Sequence, residues 1–222
     1  MKLYADTANL NDITELFSLG AINGVTTNPS IIAKEPKGAF LKLINPIADF
    51  CLDKNLSLSV EVFNTSYEEI IIEAKNLAKD LKKFENILKI KVPVTYDGLK
   101  AIKTLSDEGI KVNATACYSE QQLILASNAG AKYVSLFYCR LMQSGGDCHK
   151  VLKRVREFID LRSLDTEIIA GSIRTQTDVS NAWNYGAHIV TTSLPVIKEM
   201  IYHPKTDEAV DQFTKDFSDW LS

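Results

Sequence analysis

The chain starts with Lys2-Leu3-Tyr4-Ala5-Asp6-Thr7-Ala8-Asn9, a short apolar run that ends at an aspartate. The run predicts a β-strand over residues 2–6, and the turn after it helps to decide between two common α/β architectures. An open doubly wound sheet that binds a dinucleotide carries G-x-G-x-x-G at this turn. The turn Asp6-Thr7-Ala8-Asn9 contains no glycine. It therefore favours a closed barrel, with the doubly wound sheet as the alternative.

The same unit repeats along the chain. Short runs rich in β-branched residues alternate with longer segments of helical periodicity. Eight units share 222 residues, which leaves about 28 residues for each strand, helix and pair of loops. This pattern predicts an α/β fold, a (β/α)8 TIM barrel that occupies residues 1–222 as a single domain. The predicted strands are residues 2–6, 24–28, 57–62, 87–92, 111–116, 133–138, 167–172 and 188–193.

Helix boundaries are marked by capping residues and glycines. A capping box uses two side chains, three residues apart, to bind free N–H groups of the first turn. Glycine is favoured just after a helix because it tolerates left-handed backbone geometry. The predicted capping boxes are Ser66-x-x-Glu69, Ser119-x-x-Gln122 and Thr175-x-x-Asp178, and the predicted helix ends are Gly20, Gly109, Gly130 and Gly186.

A further helix is predicted after the eighth unit, over residues 206–221. It carries Phe213, Phe217 and Trp220 near one face, as expected of an amphipathic helix. No strand follows that this face could cover. We therefore expect the helix to pack either on its own barrel or on a neighbouring subunit.

Composition argues against several classes of function. The chain carries 25 Lys and Arg against 28 Asp and Glu, a net charge of −3, so we expect no nucleic-acid or anionic-membrane partner. No apolar run reaches the roughly 18–20 residues of a membrane span, and the first residues lack the apolar segment of a signal peptide. The four cysteines form no Cys-x-x-Cys pair, and Cys148-His149 is interpreted as a chance neighbour pair. We expect a cytoplasmic protein with reduced thiols.

Polar side chains recur near the predicted C-terminal ends of the first seven strands. Alternate residues of a barrel strand point inward, and the chemistry of this fold lies at the C-terminal mouth. One buried Lys or Glu is often a structural ion pair, but a ring of such groups on seven strands indicates a functional site. The ring consists of Asp6, Thr26, Asn28, Glu61 (one residue before the predicted strand end), Lys91, Asn113, Thr115, Ser135 and Ser172, with Phe137 at the same level.

Lys91 is the central candidate of this ring. It lies in Ile87-Leu88-Lys89-Ile90-Lys91-Val92-Pro93-Val94-Thr95. A lysine inside an apolar barrel is costly as an ammonium, so burial favours the free amine. A free amine attacks carbonyls to form a Schiff base, which is an electron sink for breaking a neighbouring C–C bond. Lys89 has the same inward parity one layer deeper, and strand alternation alone does not choose between the two.

Several motifs resemble those of the transaldolase family. The run Gly24-Val25-Thr26-Thr27-Asn28-Pro29-Ser30-Ile31 is similar to the family's first signature, and Ile90-Lys91-Val92-Pro93-Val94-Thr95 resembles its Schiff-base lysine motif. The resemblance extends from residue 4 to about residue 195, and the length is that of the short subfamily, which also contains fructose-6-phosphate aldolases. Further matching segments are Asp6-Thr7-Ala8, Gly130-Ala131-Lys132-Tyr133-Val134, Arg140 and Ser172-Ile173-Arg174-Thr175.

The resemblance implies a role for each member of the ring. The lysine before Val-Pro is the family's nucleophile, which selects Lys91 over Lys89. Asp6 matches the carboxylate that takes the proton of the C4 hydroxyl, and Glu61 matches one that acts through a water also held by Thr115. The substrate-binding positions implied for the sugar are Thr26, Asn28, Asn113, Ser135 and Phe137.

The same resemblance implies a phosphate-binding group. Arg140 and Arg174 follow the sixth and seventh predicted strands, and Ser172 lies beside Arg174. Guanidinium groups pair well with phosphate, and loops near the seventh strand commonly bind phosphate in barrels. We therefore expect these three residues to hold the substrate phosphate.

The implied activity is that of a transaldolase in the pentose phosphate pathway. Lys91 would attack C2 of a ketose phosphate, sedoheptulose 7-phosphate or fructose 6-phosphate. Cleavage between C3 and C4 would leave a dihydroxyacetone unit for transfer to glyceraldehyde 3-phosphate or erythrose 4-phosphate. The resemblance implies no metal and no organic cofactor. Short members of the family form rings, typically decamers of two pentamers, so we expect a homo-oligomer.

Two other functions remain open. Fructose-6-phosphate aldolases of this subfamily have glutamine at the Glu61 position and tyrosine at the Phe137 position, so these residues, together with Asn113, favour transaldolase. Tyr138 would supply a hydroxyl only if the strand shifted by one residue, since alternation places it on the outer face. A non-catalytic sugar-phosphate-binding barrel would be expected to have lost the nucleophile, which is present.

Overall fold

The computed structural model describes every residue from Met1 to Ser222 and contains a closed barrel of eight parallel strands. Each strand pairs with the next in sequence, and the last pairs with the first. The predicted (β/α)8 barrel is therefore confirmed, and the open doubly wound sheet is excluded. The strands are β1 (Lys2–Asp6), β2 (Gly24–Thr26), β3 (Ser57–Glu61), β4 (Leu88–Pro93), β5 (Val112–Cys117), β6 (Tyr133–Phe137), β7 (Glu167–Gly171) and β8 (Ile189–Thr192).

Helices connect the strands and cover the outside of the barrel. Two helices follow β2 and two follow β6, and the final helix stands outside the eight units, as predicted. No helix is both long and apolar enough to cross a bilayer. The helices are α1 (Leu10–Ser18), α2 (Pro29–Ile32), α3 (Phe40–Asp53), α4 (Tyr67–Asp80), α5 (Tyr96–Asp107), α6 (Glu120–Asn128), α7 (Tyr138–Gln143), α8 (Cys148–Leu161), α9 (Gln176–Asn184), α10 (Leu194–Ile201) and α11 (Pro204–Leu221).

The strand ends differ from the predictions in four places that concern the site. Asn28 lies beyond the end of β2 and Ser172 lies beyond the end of β7, although both were predicted on those strands. Glu61 is the last residue of β3, one place nearer the strand end than predicted. Tyr138 begins α7 instead of ending the sixth strand. These differences follow from where the parallel ladder stops, which alternation of residue types does not specify.

The helix ends agree with the sequence at most positions. Gly20, Gly109, Gly130 and Gly186 all have positive φ and directly follow the C-caps of helices. The Thr175–Asp178 capping box is present, and Ser119 accepts from the Gln122 backbone. The Ser66–Glu69 box was wrong, because the Ser66 hydroxyl donates to the Glu69 carboxylate and makes no bond to the helix backbone.

An aromatic layer fills the N-terminal end of the barrel. Tyr4, Tyr133, Ile169 and Ile189 form a buried cluster, and the two tyrosine hydroxyl oxygens lie 3.1 Å apart. Gly24 makes room for this layer, since a Cβ there would lie 2.7 Å from the Tyr4 ring. The barrel interior is therefore packed at this layer, and the chemistry of the fold lies at the C-terminal mouth.

Helix α11 does not pack on the barrel. None of its residues is buried, and Phe213, Phe217 and Trp220 are more than half exposed. The expectation that the helix packs on its own barrel is wrong. The other expectation, contact with a neighbouring subunit, stays a prediction.

Candidate active site

The registers of β3 and β4 bring a lysine and a glutamate together inside the barrel mouth. Glu61 and Lys91 are direct cross-strand partners. The Lys91 Nζ lies 3.0 Å from Glu61 Oε2 and donates to the Thr27 carbonyl at 2.8 Å. The two side chains are only 7% and 12% exposed. A buried ion pair of this kind keeps the amine oriented and next to a proton acceptor.

Asp6 is the second carboxylate of the mouth. The Thr26 hydroxyl donates to Asp6 Oδ1 at 2.7 Å and also lies 2.6 Å from the Thr191 hydroxyl oxygen. Burial raises the pKa of the Asp6 carboxyl, and the positive charge of Lys91 offsets this rise only in part. A carboxyl with a raised pKa is suited to accept and return a proton.

Thr115 lies on an irregular part of β5. Ala116, the next residue, has φ +57°, and the register with β6 shifts between Ala114 and Cys117. The Thr115 hydroxyl is buried and bonds to no protein group. It is therefore free to bind a substrate hydroxyl or a water molecule.

Asn113 and Ser135 form a hydrogen-bonded pair with Ser59. The Ser135 hydroxyl donates to Asn113 Oδ1 at 2.7 Å, and Asn113 Nδ2 lies 3.2 Å from the Ser59 hydroxyl oxygen. Asn113 is fully buried. Its amide therefore orients Ser135 from beneath, in addition to any contact it makes with a sugar.

Asn28 joins the mouth to the following helix. Its Oδ1 accepts from the Ile31 backbone at 3.0 Å and thereby caps α2. The amide nitrogen carries two further donors. This arrangement fixes the side chain and leaves donors for a substrate hydroxyl.

An arginine lies over an aromatic ring at the rim. The Arg140 guanidinium carbon is 4.8 Å from the centre of the Phe137 ring. The Tyr118 ring packs edge-on against the same Phe137 ring, with 5.5 Å between the ring centroids. A cation held over a ring face loses less freedom when it binds an anion. Arg140 is exposed on α7, where it is accessible to a phosphate.

The loop after β7 carries the other proposed phosphate ligands. Ser172 has φ +60°, a left-handed conformation that is unusual for serine. Strained backbone of this kind clusters at functional sites. Arg174 is exposed in the same loop, just before α9.

A cavity of about 70 Å³ lies at the mouth and gathers most of the predicted site residues. Three predicted site residues do not line the cavity: Glu61, Asn113 and Arg174. Glu61 is connected to the cavity by its ion pair with Lys91, and Asn113 is connected to it by its hydrogen bond with Ser135. A larger cavity of about 550 Å³ lies outside the barrel near α4 and α5, away from Lys91. The mouth cavity is lined by Asp6, Thr26, Asn28, Lys91, Thr115, Ser135, Phe137, Arg140, Gly171, Ser172 and Thr191.

Sequence reasoning missed Thr191 on β8. Its hydroxyl oxygen lies 2.6 Å from that of Thr26, in the layer that also holds Asp6. Alternation along His188-Ile189-Val190-Thr191-Thr192-Ser193 would have indicated this inward position, since Ile189 is in the barrel interior. The close approach of the Thr27 carbonyl to Lys91 is a backbone contact, and no residue pattern signals it.

Lys89 and Tyr138 lie away from the mouth. The Lys89 Nζ bonds to Ser57 and to the Ile87 carbonyl and lines a different cavity. Tyr138 is buried outside the barrel, with its hydroxyl 2.7 Å from His149 Nε2. The His149 ring also stacks on Tyr185 at 4.0 Å between centroids. His149 is therefore a packing residue.

All four cysteines are free and buried, and no cluster of His, Cys, Asp and Glu is placed to hold a metal ion.

Comparison with known proteins shows the family of this chain. A family model described as "Transaldolase/Fructose-6-phosphate aldolase" matches residues 3–221. A probable transaldolase of Shouchella clausii is 43% identical over 218 residues, which is 98% of this chain and 97% of the relative. A probable transaldolase of Alkaliphilus metalliredigens is 41% identical over 217 residues, 98% of each chain. One of Clostridium acetobutylicum is 40% identical over 219 residues, 99% of this chain and 98% of the relative. The chain therefore belongs to the transaldolase/fructose-6-phosphate aldolase family.

Proposed function

We propose that this protein is a transaldolase that moves a dihydroxyacetone unit between sugar phosphates through a Schiff base on Lys91. The observation that carries the proposal is the buried pair of Lys91 and Glu61 beneath a mouth cavity that also contains Asp6. Family membership and the names of the relatives point to the same reaction class. The donor is sedoheptulose 7-phosphate or fructose 6-phosphate.

Schiff-base formation uses the pair at the floor of the mouth. The Lys91 amine adds to the C2 carbonyl of the ketose phosphate and forms a carbinolamine, which loses water to give the protonated imine. Glu61 lies 3.0 Å from the amine, within the range for direct proton transfer. Thr115 has a free hydroxyl in the same cavity and holds the water that leaves and returns.

Carbon–carbon cleavage uses Asp6. Asp6 takes the proton of the C4 hydroxyl, the bond between C3 and C4 breaks, and the aldose phosphate leaves with an aldehyde at C4. The electron pair moves toward the imine and leaves a three-carbon enamine on Lys91. The enamine then adds to the aldehyde of the acceptor, glyceraldehyde 3-phosphate or erythrose 4-phosphate, and Asp6 returns the proton. The raised pKa of Asp6 is consistent with this two-way role.

Substrate binding uses the rim and the inner hydroxyl groups. Arg140 lies over Phe137 and has no carboxylate partner, so its charge is available for phosphate. Arg174 and Ser172 complete the phosphate site from the loop after β7. The sugar hydroxyls are bound by the inner polar residues Thr26, Asn28, Asn113 and Ser135.

Transfer is favoured over simple aldol cleavage by two residues. Phe137 lines the cavity and has no hydroxyl to relay a proton to the three-carbon unit. Glu61 provides a carboxylate beside Lys91 where the related aldolases are expected to have glutamine. A fructose-6-phosphate aldolase is therefore the second candidate, and a non-catalytic barrel is disfavoured by the intact Lys91–Glu61 pair.

We also infer a homo-oligomeric, cytoplasmic enzyme of the pentose phosphate pathway. The apolar face of α11, which carries Phe213, Phe217 and Trp220, is exposed in the single chain. Exposed apolar patches of this kind usually mark an interface. A pentamer or a decamer of two pentamers would cover it.

The direct test is an assay of transfer with purified protein. Sedoheptulose 7-phosphate and glyceraldehyde 3-phosphate should yield erythrose 4-phosphate and fructose 6-phosphate. Fructose 6-phosphate alone should release little free dihydroxyacetone. Dominant release of dihydroxyacetone without an acceptor would show an aldolase, and no turnover with any donor would support the non-catalytic barrel.

A further inference from the structure

Lys89 is a second buried amine, at the opposite end of the barrel from Lys91. Its exposed fraction is 7%. The Nζ donates to the Ser57 hydroxyl at 3.0 Å and to the Ile87 carbonyl at 3.1 Å, and it lies 5.3 Å from the centre of the Tyr133 ring. None of these groups carries a charge. Buried ammonium groups in proteins are normally paired with an anion.

The amine faces a polar cavity at the N-terminal end of the barrel. The cavity has a volume of about 300 Å³, enough for several water molecules or a small solute. Amide and hydroxyl groups, which can donate hydrogen bonds, form most of its wall. The lining residues are Lys2, Tyr4, Asn23, Asn55, Ser57, Asn86, Ile87, Lys89 and Tyr133.

No carboxylate lies within ion-pair distance of the Lys89 amine, and the nearby lysines Lys2 and Lys132 have carboxylate partners of their own. Glu167 is in an ion pair with Lys2, and Asp165 is in an ion pair with Lys132. Burial lowers the pKa of the Lys89 amine, the neighbouring Tyr133 hydroxyl offsets part of this decrease, and the charges of Lys111 and Lys132 add smaller decreases. The buried amine therefore has only neutral hydrogen-bond partners, and an added anion would stabilise its charged form.

We propose that this lower cavity is a binding site for a small oxyanion, inorganic phosphate or the phosphate group of a phosphate ester. The anion would pair with Lys89, and the hydroxyl groups of Ser57 and Tyr133 would be close enough to the amine to share in binding it. The site lies at the end of the barrel away from Lys91 and does not take part in the transfer reaction. Its occupancy is expected to increase stability by binding the folded state.

The test measures phosphate binding after the candidate upper site has been disabled. In a variant with Arg140→Gln and Arg174→Gln, we expect saturable binding of inorganic phosphate by titration calorimetry. Adding Lys89→Met should weaken that binding at least about 10-fold, as expected for loss of a charge-assisted hydrogen bond. Adding Lys103→Met instead removes an exposed lysine on α5 with the same change in charge, and it should leave the binding unchanged.

Two further experiments identify the ligand and test the site in the correctly folded wild-type protein. Glycerol 1-phosphate, which has no carbonyl group, replaces inorganic phosphate in one titration. The ligand that binds more tightly shows whether the site takes inorganic phosphate or a phosphate ester. In the wild-type protein, acetic anhydride labelling with peptide mapping should show that phosphate protects Lys89 and not Lys103. Three results would each overturn the proposal. Neither ligand binds to the arginine variant, Lys89→Met leaves the binding unchanged, or phosphate does not protect Lys89 from acetylation.

Discussion

Glu61 Oε2 lies 3.0 Å from the Nζ of Lys91, and the two residues are direct partners across β3 and β4. The only other polar contact of the amine is the Thr27 carbonyl. Glu61 is therefore the single side chain that can accept a proton directly from Lys91. Since an amine must lose its proton before it attacks a carbonyl, this contact links the fold of the barrel to its chemistry.

Replacing the carboxylate by an amide tests this link. Glu61→Gln keeps the size of the side chain but replaces one acceptor oxygen with an NH2 group, and it cannot accept the proton. We expect kcat to fall about 100-fold or more, the usual contribution of a positioned acid–base group, and borohydride trapping of the donor to slow in parallel. The matched control is Glu108→Gln, an exposed partner of Lys75, which should leave both rates unchanged. An unchanged trapping rate in Glu61→Gln would remove Glu61 from Schiff-base formation.

Asp6 gives a prediction about pH. Because its pKa is raised in the folded protein, the acid limb of kcat/KM should lie above pH about 4, the ordinary value for aspartate. The same shift affects stability. The folded state holds the proton more tightly than the unfolded state, so the free energy of unfolding falls as pH rises from about 4 through the raised pKa and then levels off.

The variant Asp6→Asn separates the two effects. It should lower kcat by about 100-fold or more while raising the free energy of unfolding near neutral pH, because the buried carboxylate is gone. Kinetics and denaturant unfolding at several pH values measure both. Asp49→Asn, at an exposed ion pair, is the control and should change neither. A fall in stability together with the loss of activity would indicate that Asp6 is mainly structural.

Arg140 and Arg174 give a prediction about substrate choice. A charge-assisted hydrogen bond to phosphate is worth about 1.5–3 kcal/mol, so Arg140→Ala or Arg174→Ala should raise KM for phosphorylated donors about 10- to 100-fold. Any activity with fructose, which has no phosphate, should be nearly unaffected. Steady-state kinetics with fructose 6-phosphate and with fructose measures the KM for each donor.

The control for this pair uses another stacked arginine. Arg162 lies over Phe158 on the outside of the barrel, 5.7 Å from the ring centre, and Arg162→Ala should leave both KM values unchanged. Equal losses with fructose and fructose 6-phosphate, or a large fall in melting temperature, would assign Arg140 and Arg174 to the stability of the barrel.

Helix α11 gives a prediction about assembly. Its exposed aromatic face should be covered by another copy of the chain, so light scattering at micromolar concentration should give a multiple of the 24.7 kDa chain mass. Phe217→Asp places a charge in that face and should shift the protein toward smaller species. Ser218→Asp adds the same charge beside it and should have little effect. A wild-type monomer would contradict the prediction.

Much of the fold could be predicted because local and tertiary signals agree. The alternation in β1 and β4 placed Asp6 and Lys91 inside the barrel, and the glycines at positions 109 and 186 ended helices as expected. The capping box at Ser66 failed because the Ser66 hydroxyl is turned toward the Glu69 carboxylate, to which it donates, and accepts no bond from the helix backbone. Side-chain competition of that kind depends on rotamers, which a linear pattern does not contain.

The sequence indicated which residues gather at the barrel mouth, but it did not indicate how their side chains are arranged there. The ring of polar residues was visible in the sequence, whereas the burial of Asn113 beneath Ser135 and the stacking of Arg140 on Phe137 are products of tertiary packing. The choice between Lys89 and Lys91 also needed more than alternation, since both point inward. The structure separates them by placing their amines in different cavities.

The most direct test of the proposed function is covalent trapping of the Schiff base. Wild-type protein is incubated with fructose 6-phosphate, reduced with sodium borohydride, digested and mapped by mass spectrometry. We expect a three-carbon adduct on Lys91 and none on Lys89, with transfer activity abolished in Lys91→Ala and retained in Lys89→Met. An adduct on Lys89 with Lys91 unmodified, or full activity in Lys91→Ala, would contradict the proposed function.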